Sequence, residues 1–371
     1  MIPAIAGDLV AATVNPQLAA WGHAPAAAEI EQHLVVLFAD RIWGASEAAG
    51  TSTSGGSEAN HTALLAAMAR QCSDWASRGV AAFDRPPAIY VSAQAHLAWI
   101  KIARAAGLGS DAVRLIETRD GLALDGETLR QAIAADPARV PMLVVATAGT
   151  TVHGAVDDLA GIAQVGREYG AHVHVDAAWA GGVLLDPAYR HLLAGIELAD
   201  SVTIDPHKWL AVPMGVGMYL ARECQPLETA FAVSTAYMPP TFSDARDAYV
   251  HSLQWSRRFT GAKLFVALAS LGLDGYASII ARQFALGDRL RRSLADDSWT
   301  IVNDTALPIV CFVPTDTAHV AAIERTVVGS GKAWISSVIL RGAPCLRACV
   351  TGFETTEADI DALVSLLREA R

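Results

Sequence analysis

The chain has 371 residues, 52% of them hydrophobic and 18% charged, enough apolar material for a large domain plus a smaller one and too little charge for a disordered chain. A formal net charge of −10 and a pI near 5.5 argue against nucleic acid or an anionic membrane as partner. The five cysteines, Cys72, Cys224, Cys311, Cys345 and Cys349, are odd in number and scattered without a CxxC pair, so neither a disulfide framework nor a zinc site is indicated.

Reduced thiols fit a cytoplasmic protein. No basic-then-apolar leader opens the chain. No run of about 18 uninterrupted apolar residues is present, so no membrane span is expected. No internal repeat is visible.

In chain order, residues 1–25 are weakly periodic and hold Pro3, Pro16 and Pro25, which read as turns or extended segments. Ile30, Leu34, Leu37, Phe38 and Ile42 have helical spacing, with Gly44 as a stop. Ser54-Gly55-Gly56-Ser57 precedes a helical run from Glu58 to Arg70. Glycines admit close approach of an anion, and a helix N-terminus offers unpaired N–H groups, so this is either a phosphate cradle or a plain N-cap turn.

Ala88–Ser92 reads as a strand and the following run to Gly107 as a helix, with His96 in its first turn. A strand is expected over Asp111–Glu117 and a helix over Gly126–Ala134. PMLVVATAGTT is a continuous apolar strand ending in a Gly/Thr turn at Thr150-Thr151, and Asp157-Asp158 are placed as caps of the next helix. Residues 216–221 read as the last strand of a large, mainly parallel domain.

Residues 231–259, with Pro239, Pro240 and Tyr237, form a long irregular segment of the kind often used as a lid. Two helices over Gly261–Leu294 break near Gly272–Gly275. Strands at Leu307–Val313, Trp334–Leu340 and Leu346–Thr351, with helices at Ala318–Val328 and Glu357–Arg371, close the chain. The domain division expected is 1–45 (arm and helix), 46–260 (large domain) and 261–371 (helical connection and small C-terminal domain).

Two short strands between His172 and Leu210 carry the chemistry. One ends in Asp176, followed by Ala177-Ala178; the other ends in Asp205-Pro206-His207-Lys208-Trp209. Both groups then stand on the carboxyl rim of a parallel sheet, where open α/β sheets bind ligands. A lysine can lose its proton and form a Schiff base with an aldehyde. Pyridoxal 5'-phosphate (PLP) is such an aldehyde, and a carboxylate at its ring nitrogen keeps that nitrogen protonated. Lys208 fits the first role and Asp176 the second.

HVDAAWAGG followed by DPHKWL resembles the group II PLP-dependent amino-acid decarboxylases, the family of aromatic-L-amino-acid, histidine and tyrosine decarboxylases. SGGSEAN, the SxQAH context of His96 and the SRRF element at Arg257-Arg258 extend the resemblance from about residue 15 to the end. It implies an α/β fold of fold type I (aspartate aminotransferase-like), with a mostly parallel, seven-stranded-type sheet in the large domain and a small C-terminal α/β domain. It also implies a homodimer with shared sites. Family members carry a long N-terminal stretch ahead of this match that has no counterpart here.

The resemblance implies a role for each matching residue. Gly56 and Ser57 hold the cofactor phosphate, with His207 and Asp205 beside it, though a second carboxylate there leaves the part of Asp205 open. His96 stacks on the ring, Thr151 contacts its 3′-oxygen and Ala178 leaves room for it. Tyr237 gives a proton to the substrate α-carbon after CO2 departs, and Trp21 lines the substrate pocket. Aldehyde formation in this family goes with phenylalanine at that position; the tyrosine here points to simple decarboxylation of an L-amino acid, aromatic by family weight. Other PLP reactions on the same frame, such as aldehyde synthesis or C–C bond chemistry, and a non-catalytic PLP-binding relative are the alternatives. No metal is expected.

Overall fold

The computed structural model describes residues 1–44, 48–118, 122–235, 237–238, 246–314 and 319–371. Two N-terminal helices, α1 (Ile2–Val14) and α2 (Pro25–Trp43), lead into β1 (Ala49–Thr53) and α3 (Gly56–Gln71). A short α4 (Trp75–Arg78) precedes β2 (Pro87–Ser92), α5 (Ala98–Ala105), β3 (Val113–Ile116), α6 (Gly126–Ala134), β4 (Val140–Thr147) and α7 (Leu159–Glu168). Then come β5 (His172–Asp176), β6 (Ser201–Ile204), β7 (Gly217–Ala221) and α8 (Gln225–Phe231). The long α9 (Gly261–Asp296) leads to β8 (Thr300–Ile301), β9 (Ile309–Val313), α10 (Val320–Gly329), β10 (Ser336–Leu340), β11 (Ala343–Cys349) and α11 (Glu357–Ala370).

Seven strands form one sheet in the order β1-β7-β6-β5-β4-β2-β3. β6 through β3 run parallel, while β7 is antiparallel to both β6 and β1. β2 and β5 are buried along their whole length, as strands inside a parallel sheet covered on both faces are; β2 accordingly reads as an apolar run, whereas β5 carries the buried polar side chains His172, His174 and Asp176. The four remaining strands form an antiparallel sheet in the order β10-β11-β9-β8. The sheet class and the small C-terminal unit are as expected from sequence.

Several local expectations need correction. The N-terminal segment is not turns and extended chain: residues 2–14 are helical, with Pro3 in the first turn, where its missing N–H costs nothing. The inner face of α1 is small, Ala4, Gly7 and Ala11, so no stripe of large apolar residues marked it. A Cβ at Gly7 would lie 2.5 Å from the Ala262 carbonyl oxygen, so the helix reaches α9 only because that position is glycine. β1 was not read as a strand; it pairs with β7 from Ala49↔Ala221 to Thr53↔Gly217. The helix after β2 begins at Ala98, leaving His96 in the preceding turn. Asp158 caps α7 through the Gly161 N–H at 3.0 Å, but Asp157 does not: it is buried and takes the Leu124 and Thr147 N–H groups at 2.8 and 2.7 Å. Ala318, Pro239 and Pro240 lie outside the described residues.

Gly44 ends α2 in the left-handed region, and α9 kinks at Gly272, both as read from sequence. α2 buries Leu34, Phe38 and Ile42, each contributing about 1.5–3 kcal/mol by removal from water. Its Glu31 meets Arg257 in a buried ion pair and also accepts the Gly261 N–H at 3.0 Å. That clamp ties α2 to the start of α9. By length and composition α9 could cross a membrane; here it is bent and packs on α1, α2 and α11.

Candidate active site

A cavity of about 320 Å³ opens at the carboxyl rim of the large sheet. Adjacent strand ends deliver Thr147 and Asp176, which are register partners on β4 and β5. The start of α3 supplies Ser54 through Glu58 and Asn60, and the turns after β2 and β4 supply His96, Gly149 and Thr151. Ala178, Trp179, Asp205, His207 and Lys208 complete the wall. The nine residues singled out from sequence for the cofactor, Gly56, Ser57, His96, Thr151, Asp176, Ala178, Asp205, His207 and Lys208, therefore face one space.

Asp176 is 5% exposed. Its Oδ2 accepts Asn60 Nδ2 at 2.7 Å and its Oδ1 accepts the Ala178 N–H at 3.1 Å, so both oxygens are oriented. Asn60 was missed from sequence. Its signal was available: it follows Ser57 by three residues and therefore shares the same face of α3.

Lys208 sits in the turn after β6, where its N–H donates to the Asp205 carbonyl at 2.9 Å. Its Nζ lies 2.9 Å from Asp205 Oδ2, with the lysine side chain 36% exposed and the aspartate 2%. His207 Nε2 stands 3.6 Å from the same oxygen. Its Nδ1 accepts the Val216 N–H at 3.3 Å. Asp205, whose part is open in the sequence, is thus in ion-pair contact with the lysine. A Cβ at Gly56 would fall 2.8 Å from Asp205 Oδ2 and 3.1 Å from Ala178 Cβ, so only glycine lets α3 begin this close. Trp209 fastens the far end of the turn: its Nε1 donates to Gln283 Oε1 at 2.6 Å, and Gln283 Nε2 donates to the Thr351 carbonyl at 2.7 Å. The lysine turn is therefore tied to α9 and to the chain leaving β11.

His96 stands two residues before α5, its Nδ1 accepting the Ala98 N–H at 3.1 Å, and its ring lines the cavity. Gly56 and Ser57 occupy the first turn of α3, whose N–H groups have no intrahelical acceptor. A lysine amine, an anchored carboxylate, an imidazole and a glycine-lined helix start around 320 Å³ match what a phosphorylated pyridine aldehyde requires.

Two sequence candidates lie elsewhere. Trp21 is in a separate recess with Glu31, Arg246 and Arg257, its Nε1 donating to Glu29 Oε1 at 2.6 Å. Tyr237 is 75% exposed, its ring 6.0 Å from that of Trp255, and does not line the cavity. Both were assigned through the family resemblance, which does not fix where a connecting segment of this chain lies in space. Apart from the cavity, Cys224, Glu228 and His251 form a hydrogen-bonded trio with donor atoms within 4.8 Å of one another.

Residues 1–314 match the pyridoxal-dependent decarboxylase conserved domain. The chain is 29% identical to tryptophan decarboxylase 2 of Oryza sativa subsp. japonica, over 98% of this chain and 77% of that protein. It is 34% identical to L-2,4-diaminobutyrate decarboxylase of Rhizobium meliloti, over 76% of this chain and 56% of that one. The crystal structure of Oryza sativa TDC with PLP and tryptamine is similar with a TM-score of 0.92 at 28% identity, covering 100% of this chain and 81% of that chain.

Proposed function

The chain belongs to the pyridoxal-dependent decarboxylase family and is a PLP-dependent amino-acid decarboxylase, and from that premise we propose that its substrate is an aromatic L-amino acid, converted to the amine and CO2 by a homodimer with shared sites. The observation that carries the site assignment is the convergence of Lys208, Asp176 and His96 with the Gly56-Ser57 helix start on one cavity. There Lys208 would hold the cofactor aldehyde, Asp176 its ring nitrogen, His96 and Ala178 its two faces, Thr151 its 3′-oxygen and Gly56, Ser57 and His207 its phosphate. Bound PLP supplies an electron sink for the pair left behind by departing CO2.

The protein's own residues do the rest. Asp176, shielded from water and fixed by Asn60 and the Ala178 N–H, presents a stationary negative charge. Asp205 aims the Lys208 amine into the cavity and balances its charge until the amine reacts. The Tyr237 phenol is the proton donor to the substrate α-carbon. In its own chain Tyr237 stands outside the cavity; that position supports a shared site in which a second copy supplies it, with Trp21 lining the substrate pocket. The aromatic assignment rests on the tryptophan decarboxylase relative, which spans nearly the whole of this chain. A cytoplasmic location is supported by five free cysteines.

The test is a panel of aromatic, acidic and diamino L-amino acids incubated with the purified, PLP-loaded protein, followed by mass analysis. An amine and one equivalent of CO2 from an aromatic substrate are expected. Preference for an acidic or diamino substrate overturns the aromatic assignment. Aldehyde with ammonia and peroxide overturns simple decarboxylation.

A further inference from the structure

A line of polar side chains leaves Asp176 and crosses the protein interior to its surface. Asp176 Oδ2 accepts from Asn60 Nδ2 at 2.7 Å, and Asn60 Oδ1 lies 3.2 Å from His174 Nε2. His174 Nδ1 lies 2.8 Å from Ser201 Oγ, and the same hydroxyl lies 2.7 Å from His172 Nε2. His172 Nδ1 is 3.5 Å from Arg70 Nη1. Asn60, His174, Ser201 and His172 are 3% exposed or less. Arg70 is 43% exposed and pairs with Asp200 at 2.7 Å, in a small surface recess remote from the cavity.

The ends of this line fix its direction. A guanidinium has donors only, so His172 Nδ1 must accept from it. The proton of neutral His172 is then on Nε2, which donates to Ser201 Oγ. The Ser201 hydroxyl donates onward to His174 Nδ1, which leaves the His174 proton on Nε2, facing Asn60 Oδ1. Thr203 Oγ1, 3.2 Å from the same Nε2, accepts a share of that proton. With its oxygen so engaged, the Asn60 amide must turn its NH2 to Asp176. The scheme needs both imidazoles uncharged, and burial holds His172 down at about 4 and His174 well below its ordinary range.

We propose that Arg70, His172, Ser201, His174 and Asn60 form a one-way hydrogen-bond relay that positions Asp176 and keeps it a weak base, so that the proton it shares with the cofactor stays on the ring nitrogen. The relay rests on the reading of Asp176 as the ring-nitrogen partner. A carboxylate oxygen already holding a committed donor is less basic than a free one. Networks of this kind act cooperatively in a low-dielectric interior. None of these five groups reacts; they are positioning residues, and four of them, all but Asn60, do not line the cavity wall at all.

The experiment uses the full protein loaded with PLP carrying ¹⁵N in its ring, whose NMR shift reports whether that nitrogen is protonated. Asn60→Leu should move the signal furthest toward the unprotonated value and weaken PLP binding about tenfold or more, as for loss of a hydrogen bond to a charged group. Ser201→Ala and Arg70→Met should move it in the same direction by smaller amounts. Arg70→Lys keeps a donor-only cation and should retain the wild-type shift. If Arg70→Met and Ser201→Ala leave the shift at the wild-type value while Asn60→Leu moves it, the relay is wrong and Asn60 acts alone. Should Ser201→Ala not fold, the exposed Arg70 pair of variants decides the matter. An unchanged shift in Asp176→Ala would instead overturn the ring-nitrogen assignment itself, a separate failure.

Discussion

The two buried carboxylates of the cavity are held in opposite ways. On the β5 side, Asp176 is gripped by neutral donors, the Asn60 amide and the Ala178 N–H, which belong to a buried frame. On the β6 side, Asp205 faces the Lys208 amine at 2.9 Å and the His207 imidazole at 3.6 Å, and its Oδ1 has no hydrogen-bond partner. Neutral, immobile donors give a charge that stays in place whatever enters the cavity. A pairing with a 36% exposed lysine is one that the reaction of that lysine dissolves. At similar burial the two carboxylates thus differ in their partners: Asp176 is fixed by immobile neutral donors, and Asp205 is paired with a lysine that can move away.

Four experiments break or sharpen that contrast. Lys208→Ala removes the group both sides serve. Borohydride should no longer fix the cofactor to the peptide containing residue 208, and turnover should fall by about a thousandfold or more. Asp176→Asn leaves the shape of the permanent side and removes its charge. Turnover should drop by about 10²–10³, the size of a lost preorganised electrostatic contact, measured as kcat on the best amino acid of the panel.

The third reads the buried frame behind Asp176 through pH. Burial lowers His172 from 6.5 to about 4. Between those values the unfolded chain binds a proton that the folded protein refuses. The contribution of His172 is therefore complete above about pH 6.5 and is lost as pH falls toward about 4, by up to about 3 kcal/mol. Urea unfolding at pH 7.5, 6, 5 and 4 should show this slope in the wild type and a shallower one in His172→Gln, where buried His174 still contributes; the same slope in both proteins would deny the shift.

Asp205→Asn is the mildest change. With its holder uncharged, Lys208 should be aimed less firmly into the cavity, so PLP capture by the cofactor-free protein should slow. The steady-state turnover of loaded enzyme should change by less than about tenfold. A loss as large as that of Asp176→Asn would show the two carboxylates to be alike.

Much of the site was legible because its chemistry is carried by residues close together in sequence. HVDAA ends a strand in a carboxylate, DPHKW places a lysine in the turn just beyond one, and SGGSEAN opens a helix; strand ends of a parallel sheet meet on one rim, so these motifs had to converge. Asn60 was harder to see, since an amide inside a helix looks like any other polar residue until the carboxylate it faces is known. The first helix escaped because its packing face is Ala4, Gly7 and Ala11, small residues that leave no apolar stripe. Trp21 and Tyr237 lie on connecting segments, whose course depends on what they pack against, whether the rest of the chain or a second copy.

The amino-acid sequence alone determined the parallel sheet, the lysine and its two neighbouring acids, and the cofactor they call for, because strand periodicity and motif chemistry act over a few residues. Only the tertiary structure decided which acid is anchored and which holds the lysine, and that a guanidinium at the surface is joined to Asp176 through two imidazoles. Those relations join residues as far as 116 positions apart, and the direction of each hydrogen bond is set by the donor or acceptor at the end of the line, which no local pattern contains.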